Sequence, residues 1–209
     1  YLEKINISSK NDKEKDYYYI LDEIGLLSEV QMNSYEFHIW GSNASNKNKP
    51  NMMVFDLDPD KSLSLDKLRL GVKYLKEILD NLNLKSFLKT SGGKGYHICI
   101  PFKNNLTWKK FYKISEDIAN IIENTHSELF TTNNRKEKRK NKIFIDYLRN
   151  QKSATFVAPY SVRLRKNAPV SMPIAWNELD KIKPNEITIY KAIKRLKKKD
   201  PWKDFFTSN

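Results

Sequence analysis

The sequence predicts an α+β domain built on a mixed or antiparallel sheet. Short apolar runs of strand length recur along the chain, and two longer stretches repeat apolar residues at helical spacing. The two kinds of segment do not alternate as regular βαβ units would. With 209 residues, 39% of them apolar, the chain is long enough to bury one sizeable core.

Residues 8–16, "SSKNDKEKD", are polar and predict a loop. "YYYILDEIGLLSEVQM" predicts a short strand running into a helix, with Leu26, Leu27 and Val30 on one face. "YEFHIW" alternates as a strand does, and "GSNASNKNKPN" carries loop signals throughout. "MMVFDLD" has the length of a buried strand, which Pro59 stops. Residues 65–84 give the clearest helix, with Leu68, Val72, Leu75, Leu79 and Leu82 inward, Ser64 as N-cap and Asp66 in the first turn.

"SFLKTS" and "YHICIP" predict two strands flanking a glycine-rich turn. A second helix is predicted from Thr107 to Leu129, with Phe111, Ile114, Ile118, Ile121 and Ile122 inward. Residues 131–142, "TTNNRKEKRKNK", predict an exposed basic loop. "IFIDYL" and "TFVAPYS" read as strands, and "APVSMPIAWNELD" as a proline-rich segment ending in a short helix. "ITIYKAIKRLKKKD" reads as a terminal helix, apolar at Ile189, Ile193 and Leu196.

The formal net charge is +13. That excess repels itself unless a polyanion neutralises it, and nucleic acid is the first candidate, ahead of a membrane surface. Compositional bias toward lysine is the competing explanation. No stretch approaches the roughly 18 apolar residues of a membrane helix, and no signal peptide opens the chain. The single cysteine, Cys99, excludes an internal disulfide and a cysteine-rich zinc site, and its strand position predicts burial. These features point to the cytoplasm.

Asp56 and Asp58 stand two apart on a predicted strand, so both carboxylates point to one face. Unpaired carboxylates on a buried strand repel and are poorly solvated, which calls for a compensating positive charge. A hard divalent cation such as Mg²⁺ or Mn²⁺ is one solution; a turn cap at Asp58 and a lysine partner for Asp56 is the other. Asp146 interrupts another apolar strand. If the two strands are neighbours, three carboxylates could hold two cations, an arrangement that phosphoryl transfer uses.

In "KTSGGKGYHICIP", Gly92, Gly93 and Gly95 can let backbone N–H groups converge on an anion. Ser91 offers a hydroxyl, Lys94 a point charge and His97 a ring nitrogen. The spacing is not that of a Walker A loop, and an ordinary glycine-rich β-turn fits the same residues. Arg149 and Arg163 follow strands that could face the same site. His38 lies in a strand, where a lone histidine is usually structural.

Four motifs in order, "VFDLDPD", "SFLKTSGGKGYHICIP", "IFIDYLRN" and "APYSVRLRKNAPVSMPIAWNELD", resemble the polymerase domain of bacterial non-homologous end-joining DNA ligase D, in the archaeo-eukaryotic primase superfamily. The resemblance runs from Tyr19 to Phe205. It implies a primase-type catalytic core, an RRM-like sheet surrounded by helices. By position it implies metal ligands at Asp56, Asp58 and Asp146, triphosphate contacts from Ser91, Lys94 and His97, an active-site role for His38, and phosphate contacts from Arg149 and Arg163.

The activity it implies is addition of nucleotides, often ribonucleotides, to primer 3′ ends at DNA breaks or gaps, with manganese or magnesium. Its implied partners are DNA, the end-binding protein Ku and a ligase, in a bacterial, nucleoid-associated setting. Residues 1–209 read as one monomeric primase-polymerase domain lacking the family's N-terminal part and any ligase or nuclease domain. The basic loop at Arg135–Lys142 and Arg195, Lys197, Lys198 and Lys199 are expected to meet DNA phosphates. Two other classes remain open: a phosphatase using Asp56 as nucleophile, and a catalytically silent nucleic-acid-binding module.

Overall fold

The computed structural model describes residues 1–8, 14–103 and 105–207. In chain order its elements are β1 (Leu2–Ser8), β2 (Glu14–Ile20), α1 (Glu23–Gln31), β3 (His38–Trp40), β4 (Met52–Pro59), α2 (Leu65–Asn81), β5 (Phe87–Thr90), β6 (Tyr96–Pro101), α3 (Trp108–Thr125), β7 (Phe130–Thr131), β8 (Ile143–Asp146), β9 (Thr155–Val157), β10 (Pro173–Ile174) and α4 (Ile189–Arg195). Six strands form the main sheet in the order β10-β5-β6-β4-β8-β7. Neighbours are antiparallel except β7 and β8, so the sheet is mixed. Two-stranded ribbons, β1-β2 and β3-β9, flank it.

Both faces of the central strands are covered, for different reasons. On one face Met53, Phe55, Leu57, Ile98 and Ile100 meet Leu68, Val72, Leu75 and Leu79 of α2 and Phe111, Ile118 and Ile122 of α3. The periodicity of 3.6 on the helices and 2 on the strands makes this one continuous core. On the other face Met52, Val54, Phe87 and Cys99 pack with Phe156, Trp202 and Phe205. Trp202 stacks on Phe205 at 4.8 Å and its Nε1 donates to the Leu88 carbonyl at 2.9 Å, which fastens the C-terminal segment to the sheet. Cys99 is buried and unpaired, as its strand position predicts.

Several boundaries differ from the sequence expectation. The polar segment 8–16 is shorter as a loop, because β1 runs to Ser8 and β2 starts at Glu14 in an antiparallel hairpin; residues 9–13 lie outside the described residues. The apolar stripe of α1 faces solvent: Leu26, Leu27 and Val30 are exposed, and the helix is buried only at Gly25. α2 ends at Asn81, since Asn83 takes a left-handed conformation (φ 55°) that closes the helix, and Leu82 is half exposed. α3 ends at Thr125 with Ile121 half exposed, its buried face being Phe111, Ser115, Ile118, Ala119 and Ile122.

Only His38–Trp40 of "YEFHIW" and Thr155–Val157 of "TFVAPYS" pair as strands, and they pair with each other. The short helix after the prolines is a single 3-10 turn, Trp176–Glu178. α4 buries Ala192 and exposes Ile189 and Ile193, with Leu196 exposed just past its end; the chain docks instead through Trp202 and Phe205 beyond Pro201.

Backbone proximity fixes where β6 begins. A Cβ added at Gly95 would lie 1.9 Å from the Leu57 carbonyl oxygen, a rigid backbone atom. Gly95→Ala therefore forces β4 and β6 apart. We expect a loss of about 3 kcal/mol in unfolding free energy by urea denaturation; an unchanged midpoint would contradict this packing.

Candidate active site

The strand register assembles the site. Antiparallel pairing sets Asp56 of β4 opposite His97 of β6 on one side and opposite Asp146 of β8 on the other. Lys89 of β5 stands opposite His97. Four ionisable residues from four adjacent strands thus form one row across the sheet: Lys89, His97, Asp56, Asp146. Asp58 lies two residues farther along β4 on the same face.

Each carboxylate faces a cationic or protonatable group. His97 Nε2 is 3.4 Å from Asp56 Oδ1. Arg149 Nε is 3.1 Å from Asp146 Oδ2, and Asp146 Oδ1 accepts from the Leu148 amide at 3.0 Å. Arg139 lies 3.5 Å from Asp58 Oδ2 while its guanidinium stacks over Phe144 at 3.6 Å. Among the described residues no group of three or more His, Cys, Asp or Glu side chains is arranged to hold a metal ion. The register brings the three aspartates to neighbouring positions, and their side chains turn to these bases.

The charges are unequal in their comfort. Burial pushes the Asp56 carboxyl up, but His97, Lys89 and Arg149 together hold it below the ordinary carboxylate value. Asp58 and Asp146 are both raised, first by burial and also by the charge of Asp56. Burial and the Lys89 charge outweigh Asp56 at His97 and lower its pKa.

The turn between β5 and β6 is built differently from the expected cradle of amides. Ser91 Oγ accepts from the Gly93 and Gly95 amides at 3.0 and 3.3 Å, and the Gly92 amide donates to the Pro184 carbonyl at 3.0 Å. These three N–H groups hold the turn together rather than facing an anion. Gly92 has φ +66°, a conformation that suits glycine. Lys94 is left exposed at the tip and its charge reaches Asp58.

A second wall comes from the segment after β9. Arg163 donates from NH1 to the Ser91 carbonyl at 2.8 Å, and its Nε lies 3.0 Å from Glu36 Oε1. The same Glu36 oxygen lies 2.9 Å from His38 Nε2, and Glu36 Oε2 accepts from the Leu164 amide at 3.0 Å. These partners outweigh burial and hold Glu36 down to about 2. Glu36 therefore couples His38 to Arg163 across the cleft mouth.

The cleft has a volume of about 550 Å³ and is lined by His38, Asp56, Asp58, Ser91, Gly93, Lys94, His97, Arg149 and Arg163. Asp146 and Gly92 are not among the lining residues: Asp146 lies buried beside Asp56, and Gly92 turns toward residues 170–171. Lys136 and Arg165 also line the cleft, and sequence reasoning missed Arg165 as a site residue, while Arg139, in the basic loop expected to meet DNA, is turned to Asp58 instead. Arg165 was legible as the second basic residue, two after Arg163, in "VRLR". Arg195, expected to meet DNA, is instead tied to Glu178 by two bonds of 2.8 Å. A larger cleft of about 730 Å³ lies between Tyr160, Glu178 and the C-terminal lysines, and Asp56, Asp58 and Asp146 do not line it.

Comparison with known proteins places this geometry. Residues 1–202 match the family described as LigD, primase-polymerase domain. The chain is 36% identical over 184 residues to the multifunctional non-homologous end joining protein LigD of Pseudomonas aeruginosa, covering 86% of this chain and 22% of that protein. It is 32% identical over 177 residues to the bifunctional LigD of Bacillus subtilis, covering 82% of this chain and 28% of that one. The chain thus spans between a fifth and a third of these relatives. The polymerase domain of Mycobacterium tuberculosis ligase D, solved in complex with DNA, superposes with a TM-score of 0.88 at 24% identity, over all of this chain and 75% of that one. That likeness establishes the primase-polymerase fold expected from the motifs.

The raised pKa of Asp58 has a stability consequence. Its ionised form burdens the folded state above the raised value, and the burden vanishes as pH falls through that value toward the ordinary 3.8, where both states are protonated. Asp58→Asn should therefore raise the urea midpoint at pH 7, with the gain shrinking toward zero in acid. A variant less stable than the wild type at pH 7 would contradict the assignment.

Proposed function

The chain belongs to the LigD primase-polymerase family, and on that premise we propose that it is a DNA-dependent nucleotidyltransferase that extends primer 3′ ends at breaks or gaps. The observation that carries the reading is the register pairing of Asp56 with Asp146, with Asp58 on the same face and Lys94 across the cleft. All three acids offer hard oxygen donors, and two of them carry raised pKa values that a nearby cation would relieve. The donor set fits divalent ions. Asp56, Asp58 and Asp146 would hold two such ions, which when bound activate the primer hydroxyl and offset charge on the transferred phosphorus.

The chain's own residues supply the rest. Lys94, Arg149, Arg163 and Arg165 surround the cleft with positive charge that suits a triphosphate. Because the turn amides are used internally, phosphate oxygens would meet side chains. Ser91 holds the turn that presents Lys94. His97, buried, stands against Asp56 and orients it; His38, fixed by Glu36, stands at the mouth to meet the nucleotide. The basic segment 135–142 borders the site through Lys136 and Arg139 and would follow nucleic-acid phosphates without reading sequence. Ribonucleotide preference, and action alongside Ku and a ligase in end joining, belong to the same proposal, and the relatives' naming as non-homologous end joining proteins supports the end-joining setting.

Primer extension on gapped and overhanging DNA with manganese, comparing NTPs and dNTPs, tests this reading. Asp56→Ala should abolish extension while DNA binding survives; a folded, active variant would remove Asp56 from the metal site. Lys94→Ala should raise the apparent KM for nucleotide by roughly 10- to 100-fold, the worth of about 1.5–3 kcal/mol for a charged hydrogen bond. An unchanged KM would remove Lys94 from the triphosphate site. Template-independent phosphate release from a generic phosphomonoester would favour the phosphatase instead.

A further inference from the structure

One buried charge has no part in the mechanism above. Lys89 is fully buried on β5, with 0% of its surface exposed. Its Nζ donates to Ser171 Oγ at 2.6 Å, and that hydroxyl in turn donates to the Thr90 carbonyl at 3.1 Å. A neutral hydroxyl is poor compensation for a buried ammonium. The register supplies the missing anion: Lys89 stands opposite His97, and His97 opposite Asp56. Along the row Lys89 stands at one end and the carboxylates of Asp56 and Asp146 at the other, with His97 between them.

His97 is the spacer between the two charges. Its Nε2 faces Asp56, while its Nδ1 is buried without a hydrogen-bond partner. The ring thus meets Asp56 through one nitrogen, and Lys89 stands on its other side in the register. Ser171 fixes the Lys89 end. Thr90 is bonded to the same segment by its amide to the Met172 carbonyl at 2.9 Å and by its hydroxyl to the Val170 carbonyl at 3.0 Å.

We propose that Lys89 is a positioning residue of the nucleotidyl-transfer site, the internal counter-charge of Asp56 acting through His97. This rests on the reading of Asp56 given above, yet its first test does not depend on activity. Burial pulls the Lys89 pKa down to about 8, while Cys99 and then Asp56 oppose that shift.

A double-mutant cycle in urea on the full chain, with Lys89→Met, Asp56→Asn and their combination, measures the coupling. Each single variant leaves one buried charge with less compensation, whereas the double variant removes both. The expected result is a double variant at least tenfold more stable, in unfolding equilibrium constant, than additivity allows. Additivity within twofold would overturn the proposal. If Lys89→Met does not fold, recovery of folding in the double variant supports the coupling, and failure of both overturns it.

In primer extension, folded Lys89→Met should lose at least tenfold in kcat with the nucleotide KM within threefold, and Lys89→Arg should recover part of the loss. A loss confined to KM would place Lys89 with the phosphate turn and overturn its link to Asp56. Absence of polymerase activity in the wild type would sink the function proposed above and leave the stability cycle to decide this one.

Discussion

The architecture depends on the register of β4 between β6 and β8. A shift of one residue in either pairing would turn Asp56 and Asp58 into the helix-covered core and bring Phe55 and Leu57 to the cleft. The register is held from both sides. Phe55 and Leu57 are fully buried against α2 and α3. On the β8 side Asn150, just past β8, exchanges two bonds of 2.8 Å with the backbone of Val54, continuing the ladder with a side chain where β8 has ended. Gly95 lets the turn lie directly on Leu57. Together these leave little room for the aspartates to face elsewhere.

The same sheet face serves two purposes in succession. Its first half is an apolar cluster around Val54, Phe87 and Cys99, closed by Trp202 and Phe205. Its second half is the charged row and the cleft. Burial from the first half lowers the dielectric around the second, which is why Asp58 and Asp146 are raised and Lys89 is pulled down. In the turn after β5 Ser91 takes the Gly93 and Gly95 amides and the Pro184 carbonyl takes that of Gly92, so the charge on Lys94 is presented from a hydrogen-bonded base.

Much of this was legible in the chain. Aspartates two apart on a strand must share a face, and an aspartate interrupting "IFIDYL" signals an unusual neighbour; the pairing of those strands joined the two signals. The long amphipathic helices were legible because their apolar faces meet a sheet. α1 and α4 misled for the opposite reason: their apolar residues face solvent, and periodicity cannot tell a buried stripe from an exposed one. Lys89 was overlooked although it interrupts "SFLKTS" much as Asp146 interrupts its strand. Lysines are so seldom buried that a strand lysine reads as surface by default. The loss of the Gly92 amide to the turn's own fastening was not legible, because it depends on the distant Pro184 carbonyl meeting it in three dimensions.

The central claim is that the three aspartates share divalent cations opposite the cationic cleft wall. Anomalous diffraction at the manganese edge, from crystals grown with Mn²⁺ and a non-hydrolysable nucleoside triphosphate, tests it most directly. The account predicts manganese peaks bounded by the carboxylates of Asp56, Asp58 and Asp146, with phosphate density running toward Lys94. Manganese bound elsewhere, with Asp56 and Asp146 still turned to His97 and Arg149, would contradict it.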